Sequence, residues 1–171
     1  MPKKEPIKLV LRLLAAIAGG VVAGVALPTV DFWPAILASV VLIHLAIQGV
    51  GFWRGFLFGL PAGIAFYAAQ SVWMSAYLGP EPWLALAVLE GLIFGLGLGL
   101  AAAVWRWLST HKRRLRAWYH LLIGLWLPLI WVAREWVAGH FPYGGYQWSR
   151  LGQSVADNQL SYLAYWGGIS L

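Results

Sequence analysis

The sequence predicts an all-α membrane protein: a polytopic bundle of about five complete transmembrane helices plus the start of a sixth. Three observations carry that prediction. Charged residues make up 11% of the chain and hydrophobic ones 61%, with a mean hydropathy of +0.72; an ordinary soluble domain has about a quarter charged and under half apolar. A 171-residue core cannot hide that much apolar surface from water, so the natural solvent is lipid. Apolar runs near the required ~20 residues recur between proline, glycine and basic breaks. The twelve tryptophans fit the same solvent, because indoles collect at the membrane–water boundary.

The first expected span runs from Leu9 to Leu27 and is stopped by Pro28. The second, Trp33 to Gln48, is entered through Trp33-Pro34, and the third covers Phe52 to Leu78 with a kink expected at Pro61. The fourth extends from Trp83 to Leu108, and the fifth from Ala117 to Val137 with a kink near Pro128. An outer loop over 138–160 follows, and residues 160–171 read as the start of the next span. Together these form a single N-terminal transmembrane domain over 1–171.

Basic residues set the orientation. Lys3, Lys4, Lys8, Arg12, Arg54, Arg106, Lys112, Arg113, Arg114 and Arg116 fall on one side if five spans alternate, leaving only Arg134 and Arg150 for the other. The positive-inside rule then places the N-terminus of a protein that crosses the membrane several times in the cytoplasm. The first apolar stretch is longer than a signal-peptide core, and Pro28 suits cleavage poorly, so it reads as a span.

Small residues mark the helix contacts. Ala16, Gly20 and Gly24 share a face, as do Gly51, Gly55, Gly59 and Gly63, and again Gly91, Gly95, Gly99 and Ala103. Residues four apart line one side of a helix, so each strip lets another backbone approach closely. The bland alternative is that glycine is simply common in membrane helices. Gly95-Leu96-Gly97-Leu98-Gly99 is no dinucleotide motif, since no strand precedes it.

Polar residues inside lipid are costly and carry information. His44, Gln70 and Glu90 each fall ~12–15 Å below the outer surface by helical rise, which makes a polar membrane layer one reading. A structural pair that locks the bundle, or three unrelated residues, is the other. The outer loop adds Tyr143, Gly144, Gly145, Tyr146, Trp148 and Arg150 as lipid-facing candidates. Their aromatics suit the headgroup level, the glycines suit a tight turn, and Arg150 suits a lipid phosphate. The competing reading is an interfacial loop whose aromatics only anchor the bundle.

Other chemistries find little support. The basic stretch from Trp105 to His120 fits anionic headgroups, and a short loop between spans is a poor nucleic-acid surface. His44, His111, His120 and His140 lack metal-site spacing. The chain has no cysteine, hence no thiolate nucleophile or disulfide, and no cofactor motif is visible.

The stretch REWVAGHFPYGGYQWSRLGQSVADNQLSYLAYWGGISL resembles a signature region of bacterial apolipoprotein N-acyltransferases. Glu135, Trp136, Gly139, Gly145, Trp148, Gly152, Asp157, Leu160, Leu163, Ala164, Gly167 and Gly168 follow the family order. Upstream, Ala26–Ala38 is similar to the family's junction between its first two spans, and Gly55–Met74 to its third span. The chain departs from the pattern at Ala138, where the family has arginine, at Tyr146-Gln147-Trp148 in place of Phe-Pro-Trp, and at Gln153-Ser154.

The resemblance implies transfer of an acyl chain from a phospholipid donor to the N-terminal amine of a lipoprotein's diacylglyceryl-cysteine. It also implies a nitrilase-like Cys, Glu and Lys on an extracytoplasmic domain that follows the spans. With no cysteine, the chain is expected to be the membrane part of such an enzyme, a fragment inactive alone and carrying no catalytic residue itself. A membrane-embedded binding or transport component, and a non-catalytic anchor, are the alternatives.

The topology has a direct check, because the chain has no native cysteine. A membrane-impermeant maleimide added from outside is expected to label Glu81→Cys and to miss Thr110→Cys. Equal labelling at both positions would sink the five-span arrangement.

Overall fold

The computed structural model describes residues 4–27, 30–115, 117–157 and 159–168. Lys3, Pro28, Arg116 and the last three residues of the expected sixth span lie outside the described residues. The described chain is mostly helical, with helices α1 (Lys4–Val25), α2 (Ala35–Ile47), α3 (Phe52–Gln70), α4 (Val72–Leu78), α5 (Pro80–Thr110), α6 (Lys112–Leu115) and α7 (Ala117–Ala138). Short 3-10 turns at Leu151–Val155 and Gln159–Leu163 and a final turn α8 (Ala164–Gly167) complete it.

Five expected spans resolve into a less regular set. α1, α5 and α7 contain stretches long and apolar enough to cross a membrane, at Ile7–Val25, Pro80–Thr110 and Trp118–Ala138. α2 has 13 residues, ~20 Å by helical rise, short of a ~30 Å hydrocarbon core. The third expected span is two helices, since α3 and α4 are bent by 62°.

That break falls at Ser71, and α3 runs unbroken through Pro61. The Ser71 hydroxyl donates to the Tyr67 carbonyl at 2.6 Å, competing with the helix ladder at that turn. The Trp83 indole N–H donates to the Ala68 carbonyl at 3.0 Å, so a backbone acceptor beside the break is satisfied from α5. The expected sixth span begins as a 3-10 turn and one turn of helix over its described residues.

α3 and α5 make the most extensive contact in the bundle, and small residues explain it. A Cβ added at Gly59 would sit 2.7 Å from the Leu98 Cβ and 2.9 Å from the Gly95 Cα. One at Gly55 would meet the Leu98 carbonyl at 2.8 Å, and one at Gly63 would meet the Gly91 Cα at 3.0 Å. With no hydrophobic drive between helices in lipid, such contacts supply packing and dispersion instead. α1 joins through Gly20, which lies against the Ala62 backbone. α2 is tied to α1 by the Ser39 hydroxyl, which donates to the Gly19 carbonyl at 2.7 Å.

Gly59→Leu and Gly95→Leu are each expected to destabilise the bundle by about 1–3 kcal/mol through overpacking. Gly124→Ala is the control, because a Cβ there meets nothing within 4 Å. Thermal melts in detergent that leave both leucine variants unshifted would reject the close contact.

Candidate functional site

The half of the bundle next to the 138–160 loop encloses a charged cluster. Arg134 and Glu135, adjacent on α7 and four and three residues from its outer end, are each 5% exposed, and Glu90 on α5 is 1% exposed. Arg134 donates through Nη1 to the Tyr67 hydroxyl at 2.7 Å, and its Nη2 lies 3.6 Å from Glu135 Oε1. The guanidinium also stacks over aromatic faces, 4.9 Å from the Phe94 centroid and 4.7 Å from that of Trp131.

Gly97 explains how an arginine fits there. A Cβ at that position would meet Arg134 Cδ at 3.1 Å and Cγ at 3.2 Å, so the missing side chain gives the arginine stem room against α5. Thus the Gly-Leu-Gly-Leu-Gly run serves two partners: Gly95 and Gly99 receive α3, while Gly97 receives α7.

Glu135 links this cluster to the outer loop. Its Oε1 accepts the Trp131 indole N–H at 2.8 Å and the Leu151 backbone N–H at 2.9 Å. One buried carboxylate oxygen therefore fixes a tryptophan on its own helix and the start of the 3-10 turn. A charged acceptor makes both bonds stronger than neutral ones.

The loop folds back on the same helix end. The Tyr146 N–H donates to the Ala138 carbonyl at 2.7 Å, and the Gly145 N–H to the Pro142 carbonyl at 2.8 Å. Gly145 has φ +72°, and a Cβ there would collide with the backbone of Ala138–His140. Only glycine combines that conformation with that approach. The Phe141–Pro142 peptide is cis.

The loop candidates divide accordingly. Tyr143 is fully exposed, Trp148 is exposed with its ring 6.5 Å from that of Trp73, and Gly144 also faces outward. Gly145 and Tyr146 pack inward, the Tyr146 ring 6.0 Å from that of Tyr67. Burial raises the Tyr146 phenol above its ordinary value, with a Ser149 hydrogen bond acting against it and the Glu90 charge adding to it. Any stability this group contributes is full below pH ~10 and falls as pH rises through the folded value. Arg150 lies against Gly139, which sets a guanidinium beside the turn whose family arginine is Ala138 here.

The three polar residues of the expected membrane layer have separate partners. Gln70 donates to the Gly24 carbonyl at 2.7 Å, tying α3 to α1. His44 sits near the inner end of α2, 2.6 Å from the Gln48 amide nitrogen and edge-on to Trp105 at 4.6 Å. Glu90 is coupled electrostatically to Arg134 and Tyr67, its carboxylate oxygens buried without a hydrogen-bond partner among the described residues.

Sequence reasoning counted Arg134 only as an outer basic residue and passed over Tyr67 and Trp131. The available signal was an Arg-Glu pair just inside the end of an apolar span, where charges persist only with partners. Two polar groups on the loop side are engaged with backbone: Ser154 donates to the Leu151 carbonyl at 2.6 Å, and His140 Nδ1 lies 2.7 Å from the Trp136 carbonyl.

The apolipoprotein N-acyltransferase N-terminal domain model matches residues 19–171. The chain belongs to the apolipoprotein N-acyltransferase family. Among relatives of that name, the one from Pseudomonas putida is 29% identical over 166 residues, covering 92% of this chain and 31% of its own. That from Vibrio cholerae is 29% identical over 167 residues, 94% of this chain and 32% of its own. The one from Mycolicibacterium smegmatis is 39% identical over 98 residues, 54% of this chain and 16% of its own. The chain thus corresponds to the N-terminal, membrane portion and spans about a third of the length of the longer-matching relatives.

Glu135→Ala leaves the Leu151 and Trp131 N–H groups unpaired and the Arg134 charge without its neighbour. Breaking a buried ionic contact of this kind costs about 3–5 kcal/mol. Limited proteolysis is expected to cut the 139–155 loop faster in this variant and to leave the inner loop at 111 unchanged. Unaltered cleavage in the outer loop would remove Glu135 as its anchor.

Proposed function

We propose that this chain forms the membrane part of an enzyme that moves an acyl chain from a phospholipid to the N-terminal amine of a diacylglyceryl-cysteine on lipoproteins. The observation that carries the reading is the family match over residues 19–171. The absence of cysteine from the sequence places the thioester-forming nucleophile outside this chain. The chain's own contribution is to hold the outer loop rigidly on α7 at the membrane surface, through Glu135 and the Gly145 turn. On this reading the protein lies in the bacterial inner membrane with a cytoplasmic N-terminus, and a nitrilase-like domain works on the outer side. Tyr143, Trp148 and Arg150 face the lipid headgroups and the arriving lipoprotein. A transport path through His44, Gln70 and Glu90 has less support, since each is engaged with different helices.

The test is to incubate the purified chain in lipid with labelled phospholipid and a diacylated lipopeptide. Lipid binding without triacylated product is expected. A fusion to the remaining two-thirds of the Pseudomonas putida relative is expected to restore transfer. Turnover by the chain alone, or an inactive fusion beside an active relative, would overturn the reading.

A further inference from the structure

Glu90 and Arg134 keep unmet hydrogen-bonding capacity at the centre of the charged cluster. Both carboxylate oxygens of Glu90 lack a hydrogen-bond partner among the described residues, as do Nε and Nη2 of Arg134. The two residues are 1% and 5% exposed, so bulk water does not reach these atoms. Nor do they reach each other. Nη2 stands 3.6 Å from Glu135, while Glu90 is outside ion-pair distance and acts on the guanidinium only as a charge. An ionised carboxylate offers about four lone-pair sites, and Nε and Nη2 present N–H bonds without an acceptor. Burying charged groups in that condition is strongly unfavourable.

We propose that this cluster binds ordered water between Glu90 and Arg134, which accepts from the guanidinium and donates to the carboxylate. The chemistry of the two sides selects the occupant. It must take N–H bonds on one side and supply O–H bonds on the other, and water does both at once. A cation there would be repelled by the guanidinium, and an anion by the carboxylates. Enclosure excludes a larger ligand, since neither residue opens to the surface. A polar separation too long for a direct bond is the geometry that a bridging water fills. Buried waters typically make ~3 hydrogen bonds to polar groups that would otherwise go without.

Closing the gap directly would break contacts that already hold both residues. The Arg134 Nη1 donates to the Tyr67 hydroxyl at 2.7 Å, its guanidinium lies over the Phe94 and Trp131 rings, and its stem is seated against Gly97. Glu90 is fixed from its own side, because the adjacent Gly91 lies against the α3 backbone at Leu60 and Ile64. The two charges are thus pinned on different helices, and water is what joins them. The bridge ties α5 to the arginine whose neighbour, Glu135, holds the loop at Leu151. The site lies inside the helices of this chain and is independent of the proposed reaction.

The experiment is X-ray radiolysis of the 171-residue chain in nanodiscs, which makes hydroxyl radicals from water where it sits, read by mass spectrometry. Phe94 is 0% exposed and Phe58 is 5% exposed, so burial alone ranks Phe58 as the more reactive. Water beside Arg134, whose guanidinium lies 4.9 Å from the Phe94 centroid, reverses that order, and Phe94 is expected to be modified the faster. In Glu90→Leu the Phe94 rate should fall to that of Phe58, whereas Glu90→Gln, whose amide still holds water, should keep it high. A crystal structure of the unaltered chain should place water within hydrogen-bond distance of both Glu90 and Arg134, which decides the matter if Glu90→Leu does not fold. Three results would each overturn the proposal: Phe94 no faster than Phe58 in the unaltered chain, Phe94 still fast in a folded Glu90→Leu variant, or Glu90 bonded directly to Arg134 with no water between them. None of these readouts involves acyl transfer, so failure of the proposed reaction and failure of this site are separate results.

Discussion

Direct backbone contact between α3 and α5 is the constraint on which the rest of this structure depends. Gly59 and Gly63 lie against the backbone of Gly95 and Gly91 and the Cβ atoms of Leu98 and Phe94, with no room for a side chain of their own. Lipid tails are as apolar as leucine, so two spans gain little by hiding leucines from them. They gain by close packing, and glycine allows the closest approach. Because Gly63 precedes Tyr67 by one turn and Gly91 follows Glu90, the same contact fixes both polar residues near one level. α7 then lays Arg134 across Gly97 toward them. A wider α3–α5 spacing would separate the tyrosine from the arginine it serves.

From that cluster, order passes outward to the loop. Arg134 and Glu135 are adjacent in sequence yet face different tasks, one toward Tyr67 and the other toward Leu151. A buried carboxylate is tolerated because it accepts two N–H groups beside a guanidinium. The loop in turn needs this support, because its own backbone turn has glycine at φ +72° and its large side chains Phe141, Tyr143 and Trp148 are exposed. The order of this loop therefore derives from charges placed inside the bundle. The relatives named apolipoprotein N-acyltransferase are about three times longer than this chain.

Much of this was legible in the sequence. Composition fixed the solvent, and the spacing of glycines named the faces of α1, α3 and α5 that touch. The polar loop was visible as a break in an apolar chain, and the ordered matches from Glu135 to Gly168 pointed to the family that the comparison identifies. Loop glycines were read as turn formers, and Gly145 has the backbone that requires one.

What the sequence by itself determined is therefore what depends on residue type and local period: an apolar helical bundle, its contact strips and its family. Tertiary structure decided the rest. The kink of the third span was expected at Pro61, and only the fold, with the Ser71 hydroxyl on the Tyr67 carbonyl and Trp83 of α5 on the Ala68 carbonyl, shows that the break falls at Ser71. Counting from the expected span ends placed His44, Gln70 and Glu90 at similar depth, but His44 packs edge-on to Trp105, about four helical turns beyond Glu90 along α5, so the fold sets it toward the other end of the bundle. Arg134 stood out in the sequence only as a charge inside an apolar span, and its neighbours Tyr67 on α3 and Phe94 on α5 could not be read from it, since they lie far away along the chain. A buried charge is defined by what surrounds it, and only the fold supplies the surroundings.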